Sequence, residues 1–142
     1  MATRTYADVD GYWLEVPPWW HDLSDDDLAQ LCNGVGPDDW PVYRRRMVGR
    51  CAGWMVPASR PHDVRYSRIS CDCDRLTADR ELWRNWRATI RQHLGWRPWH
   101  WLIPGRRVRY AAMIGLARLA YRAVRLAGAQ YAHGGSHVHD AQ

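Results

Sequence analysis

His62 and Asp63 are neighbours, Tyr66 follows one helical turn later, and Asp79 stands at the head of a later apolar stripe. These residue types at this spacing suit acid–base chemistry. Adjacent side chains on a helix diverge by about 100°, so His62 and Asp63 do not easily share one ligand. The arrangement favours a division of labour, with His62 facing Asp79 on one side and a water on the other. Asp63 then turns toward the loop Cys32-Asn33-Gly34-Val35-Gly36. Carboxylate and backbone carbonyl oxygens are the preferred ligands of a hard cation such as calcium, and glycines let carbonyls converge. Such an ion would polarise an ester carbonyl while His62 deprotonates water.

Helices must hold these groups. Pro61 suits the first position of a helix covering His62 to about Ser67, because its missing N–H would be unpaired there. Thr77 can cap a second helix that runs to about His93 and ends before Gly95 and Pro98. Along it Asp79, Leu82, Trp83, Trp86 and Ile90 share one face, and Arg80, Arg84, Arg87 and Arg91 the opposite one. Asp79 therefore points inward and needs a partner, since burying an unpaired charge costs several kcal/mol, by an order-of-magnitude estimate. His62 is the candidate.

Elsewhere, Ser24 before Asp25, Asp26 and Asp27 signals a short helix, which Gly34 and Gly36 follow as breakers. The longest helix is expected from about Arg106 to Ala127, closed by Gly128. Met113, Leu116, Leu119, Ala120, Ala123 and Val124 are expected to pack one broad face, with Arg107, Arg118, Arg122 and Arg125 on the other. Residues 1–23 read as an irregular arm, with a short strand at Tyr12–Val16 ended by Pro17-Pro18. The stretch from Asp38 to Ala58 carries no clear element, and Ser70–Asp74 reads as a loop. The expected organisation is an arm (1–23), a helical domain (24–131) and a flexible tail (132–142).

The chain has 142 residues, enough for one domain with a core. All 20 basic residues are arginine, and the net charge of +5 favours an anionic partner. No motif for reading bases accompanies that charge, so specific nucleic-acid recognition is not expected. The N-terminus lacks the pattern of a secretory signal, and Arg118, Arg122 and Arg125 interrupt the longest candidate membrane span. Ten tryptophans exceed what a core this size easily holds. Trp19, Trp20, Trp96, Trp99 and Trp101 are therefore candidates for a membrane or protein contact. Three states are open for Cys32, Cys51, Cys71 and Cys73: reduced thiols, disulfides, or a zinc site. The zinc reading is weakened because Cys71-Asp72-Cys73 lacks the two-residue gap of common zinc knuckles.

A glycine loop, then His-Asp-x-x-Tyr, then an Asp on a following antiparallel helix resembles the phospholipase A2 superfamily, especially its short bacterial and fungal branch. The order CNGxG, HDxxY and the Ala78-Asp79-Arg80 helix, with a basic aromatic helix like Ala120–Gly128, is also similar to small bacteriophage proteins. The resemblance spans about Cys32 to Gly128. It implies a mainly α fold: a small phospholipase A2-like domain with two antiparallel core helices, a long C-terminal amphipathic helix and an irregular N-terminal arm. It also implies His62 as general base, Asp79 as its orienting partner, and Tyr66 as a hydrogen-bonding or packing support. Calcium would be held by Asp63 and the backbone of Asn33, Gly34 and Gly36, and the reaction would be hydrolysis of glycerophospholipid esters. Expected partners are phage structural proteins and a membrane phospholipid surface, in the virion or the infected-cell cytoplasm. The chain departs from secreted phospholipases in lacking Cys-Cys before the histidine and the cysteines of their disulfide framework.

Two alternatives stand beside catalysis. The His-Asp-x-x-Tyr helix facing a buried Asp79 can be a satisfied polar network that pins two helices in register without turnover. The protein would then be a non-catalytic virion component, a tail or connector subunit that keeps the helical fold for docking. His137-Val138-His139 reads as a loose tail rather than a metal site.

Overall fold

The structure is a computed structural model that describes residues 4–32, 53–95, 97, 99 and 102–134, with side chains of the last helix followed to Leu126. Two strands, β1 (Thr5–Val9) and β2 (Tyr12–Val16), form an antiparallel hairpin with Thr5 opposite Val16 and Val9 opposite Tyr12. Asp10 and Gly11 both take positive φ, 53° and 81°. A two-residue turn of this kind matches the twist of the strands it joins, and Asp-Gly is a favoured pair for it. The Asp8 carboxylate accepts from the Gly11 N–H at 2.8 Å and fixes the turn.

Four helices follow among the described residues: α1 (Asp25–Leu31), α2 (Val56–Tyr66), α3 (Asp72–His93) and α4 (Pro104–Gly134). Short 3-10 turns at Trp20–Asp22 and Gly53–Met55 precede α1 and α2. Ser24 caps α1 with a reciprocal box, its hydroxyl accepting from the Asp27 N–H while Asp27 accepts from the Ser24 N–H. Helix α2 starts earlier than expected, with Pro57 rather than Pro61 in its first turn and Pro61 buried inside. Helix α3 also starts earlier, at Asp72. Cys71 takes the cap position, and the Thr77 hydroxyl instead donates back to the Cys73 carbonyl at 2.8 Å. Asp72–Asp74 is therefore the first turn of α3 rather than part of a loop, with Ser70 and Cys71 just before it. Most of Asp38–Ala58 lies outside the described residues, but its end forms the Gly53–Met55 turn and the first turn of α2.

Helix α3 is the centre of the molecule, packed by α2, α4 and β2. It runs antiparallel to α2: the Trp86 indole N–H donates to the Met55 carbonyl at 3.2 Å, whereas His62 lies beside Asp79 nearer the other end. Leu82, Trp86 and Ile90 bury the stripe read from the sequence, against Leu14, Met55 and Val64. Trp83 is half-buried and meets Tyr121 of α4 at 5.6 Å between ring centroids.

The hairpin is a working part of this core. Leu14 is fully buried, as nearly are Val9 and Val16. The edge of β2 facing α3 would leave backbone groups unpaired, and two side-chain amides about two turns apart on α3 supply the partners. Asn85 accepts from the Glu15 N–H at 2.9 Å and donates to the Glu15 carbonyl at 2.7 Å. Gln92 does the same for Trp13, at 2.9 and 3.0 Å. Arg84 completes the seam with a two-pronged ion pair to Glu15, at 2.7 and 3.0 Å.

Two expectations are corrected here. The phospholipase A2-like domain with an irregular arm gives way to a mostly helical architecture with a two-stranded sheet docked on its central helix, and nothing in it supports a phospholipase A2 fold. Among the described side chains of α4, Met113 and Ala117 are buried, with Tyr110, Ile114, Ala120, Tyr121 and Val124 partly covered. Leu116, Leu119 and Ala123, expected in the packed face, are exposed. The helix also continues past Gly128 to Gly134. No described helix is long and apolar enough to cross a membrane.

Candidate functional site

Asp79 sits in the second turn of α3, fully buried, because the stripe that carries Leu82 and Trp86 into the core begins with it. Its two oxygens divide their partners. Oδ1 accepts from the Tyr66 hydroxyl at 2.7 Å and faces Nε2 of His62 at 3.4 Å. Oδ2 accepts from Nη1 of Arg75 at 3.4 Å and lies 3.7 Å from Nε of Arg125 on α4. His62 and Tyr66 reach one oxygen together because residues four apart stack on a helix face; their ring centroids are 4.2 Å apart. The structure thus brings His62, Tyr66 and Asp79 into one cluster.

The second ring nitrogen of His62, Nδ1, points to Oδ1 of Asp63 at 3.7 Å, beyond a good hydrogen bond. The imidazole is nearly buried, with one tenth of the side chain exposed. Burial opposes its protonation most strongly, but Asp63 and Asp79 together outweigh this and hold its pKa above the ordinary 6.5. For Asp79, burial again works against the charge. His62, Tyr66 and Arg75 overcome it and keep the carboxyl below its ordinary range. Burial pushes the Tyr66 hydroxyl up, and its bond to Asp79 adds to that. These surroundings favour the charged forms of His62 and Asp79 beyond their ordinary balance and keep Tyr66 a neutral donor.

Two members were not anticipated as partners of Asp79. Arg75 precedes Asp79 by one turn, a spacing at which opposite charges meet on a helix, and it also donates to Asp72 at 2.9 Å. Arg125 lies 46 residues downstream, on the helix face expected opposite the packed one, and no local pattern signals that contact. Nearby, Arg65 forks onto both oxygens of Glu81 and lies over the Trp19 ring, 5.3 Å from its centroid.

The expected calcium donors are only partly described. Asp63 is in place on α2, while Asn33, Gly34 and Gly36 lie outside the described residues. Cys32, just before that loop, donates its thiol to the Arg60 carbonyl at 3.7 Å. Burial, with Asp63 nearby, pushes that thiol up to about 11. One carboxylate that already faces an imidazole falls short of the six to eight oxygens calcium takes. The described residues therefore do not amount to a calcium site.

Cys71 and Cys73 form a disulfide. Their sulfurs and an Asp74 carboxylate oxygen lie within 4.8 Å of one another, a grouping able to hold a metal. While the sulfurs are joined, neither is a thiolate ligand.

No family model, no curated protein and no solved structure matches this chain. The reading of the site rests on its own geometry.

Proposed function

We propose that His62 and Asp79 form an acid–base centre for hydrolysis of carboxylic esters, with glycerophospholipids as the substrate class. The observation that supports it most is the pinning of the imidazole. Asp79, itself held by Tyr66 and Arg75, favours the proton on Nε2, and Nδ1, 3.7 Å from Asp63 and beyond a good hydrogen bond to it, is the nitrogen that acts on water when the imidazole is neutral. His62 takes one proton from water at Nδ1, the hydroxide adds to the ester carbonyl, and the tetrahedral intermediate expels the alkoxide. The imidazolium returns the proton to that alkoxide, so the products are an acid and an alcohol. Asp79 stays ionised and stabilises the imidazolium through the cycle. Calcium at Asp63 was the expectation, but no step here is routed through a metal.

Fatty acid release from phospholipid vesicles tests this reading, with His62→Gln as the comparison and with calcium or chelator added. The unaltered protein should release fatty acid with or without chelator, and His62→Gln should lose at least about a hundredfold in rate. Release that ignores the substitution excludes His62 as the base. Release that stops with chelator returns a metal to Asp63.

One observation favours a second reading. The partners of Asp79 come from α2, α3 and α4, so the cluster also ties three helices together. On this reading the protein is a non-catalytic phage particle component, a tail or connector subunit. Stoichiometric presence in purified particles, with no esterase activity, would support it.

A further inference from the structure

Helix α4 carries more apolar surface than the core uses. Between Pro104 and Leu126 it holds six arginines and no acidic residue. At about 100° per residue it divides into three faces. Met113, Ala117, Ala120 and Val124 form the buried or half-buried one. Arg107, Arg118, Arg122 and Arg125 run along a second. Val108, Ala112, Leu116, Leu119, Ala123 and Leu126 form a third, and all six are exposed, Val108, Leu119 and Leu126 at 69%, 65% and 71%. This stripe is roughly 27 Å long at about 1.5 Å per residue. Just before the helix, Trp99, Leu102 and Ile103 are also exposed, at 56%, 83% and 45%.

We infer that this face of α4 lies on an anionic phospholipid bilayer surface. Charge decides among possible occupants. A second copy would bring two arginine-bordered faces together with no carboxylate on either helix, and like charges oppose that pairing. Arg118 and Arg122 are exposed on this border, and anionic headgroups supply negative charge that complements them. A helix with an apolar stripe flanked by arginine lies in the plane of a membrane, its aliphatic side chains among the acyl chains and its guanidinium groups at the phosphates. An indole such as Trp99 suits the same boundary. The helix does not cross the bilayer, in keeping with its arginines.

Surface attachment is independent of hydrolysis at His62, and one experiment separates the two. The full chain is sedimented with mixed phosphatidylglycerol and phosphatidylcholine vesicles, and with phosphatidylcholine alone. It should bind the mixed vesicles, release from them as salt rises, and bind phosphatidylcholine alone at least about tenfold more weakly. The pair Leu119→Ser and Leu126→Ser should cut binding to mixed vesicles by at least about tenfold while circular dichroism and melting stay unchanged, because both side chains are exposed. His62→Gln should bind as the unaltered chain does, so lost hydrolysis with retained binding leaves this inference standing. Equal binding by the leucine pair, no preference for the anionic lipid, or no vesicle binding at all would overturn it. So would a dimer in light scattering that the leucine pair dissolves, since that assigns the face to a second copy.

Discussion

Replacing Asp79 by Asn removes one charge and almost no volume, which isolates the electrostatic contribution of the cluster. Asp79 is fully buried, Arg75 is nearly so, and His62 has lost most of its contact with water. In the variant, Arg75 and the His62 N–H would face an amide able to accept from one of them at best. Breaking a buried ion pair from one side costs about 3–5 kcal/mol. Domains of this size have about 5–15 kcal/mol in total, so the variant should fold but melt much earlier. Urea unfolding at neutral pH measures the loss, and its pH dependence identifies the cause. With its pKa lowered, Asp79 contributes stability that is present above its ordinary 3.8 and lost as pH falls through the folded value. With its pKa raised, His62 contributes stability that is complete below 6.5 and lost as pH rises through its folded value. The unaltered protein should therefore be most stable between those limits. In Asp79→Asn the acid limb attributable to Asp79 should vanish and the alkaline limb should shrink. A loss under about 1 kcal/mol, with both limbs intact, would refute the assignment of Asp79 as the charge centre.

The hairpin gives a second prediction: Asn85→Leu leaves the Glu15 backbone unpaired and should cost about 1–3 kcal/mol, with faster hydrogen exchange at the Glu15 amide and little change in helix content. Leu14→Ala should cost about 2–5 kcal/mol in urea unfolding, and a cost near zero would mean the hairpin is an appendage after all. Cys71 and Cys73 are two residues apart, so their disulfide closes a very short loop and should add under about 2 kcal/mol. A melting temperature that collapses on reduction with dithiothreitol would contradict this.

The parts legible in the sequence were those set by local chemistry. Ser24 with three following acids marked α1, and helical spacing placed Asp79 at the head of the stripe through Leu82, Trp86 and Ile90, facing His62. The α1 start and the inward place of Asp79 rest on interactions within a turn or two of chain, whereas the pairing with His62, on another helix, was reached from the need of a buried carboxylate for a partner. β1 was missed because Thr5–Val9 puts only Ala7 and Val9 inward, a weak alternation, although Asp10-Gly11 was a hairpin signal in plain view. The starts of α2 and α3 were misplaced because Pro61 and Thr77 resemble helix starts by type, while Pro57 and Cys71 hold those positions. On α4 two apolar stripes lie close enough around the axis to read as one face, and only the packed neighbour α3 determines which is covered. The contact of Arg125 with Asp79 depends on that same packing. The calcium expectation at Asp63, Asn33, Gly34 and Gly36 came from the pairing of a carboxylate with a glycine loop and from a resemblance, and Asn33, Gly34 and Gly36 lie outside the described residues.

Titration of the His62 ring by nuclear magnetic resonance, in the unaltered protein and in Asp79→Asn, tests the account most directly. An imidazole held between Asp79 and Asp63 should titrate above 6.5, keep its proton on Nε2 when neutral, and drop toward the ordinary value in the variant. A ring that titrates at or below 6.5 in the unaltered protein, or that ignores the loss of Asp79, would contradict the pairing from which both the hydrolytic and the helix-tying readings start.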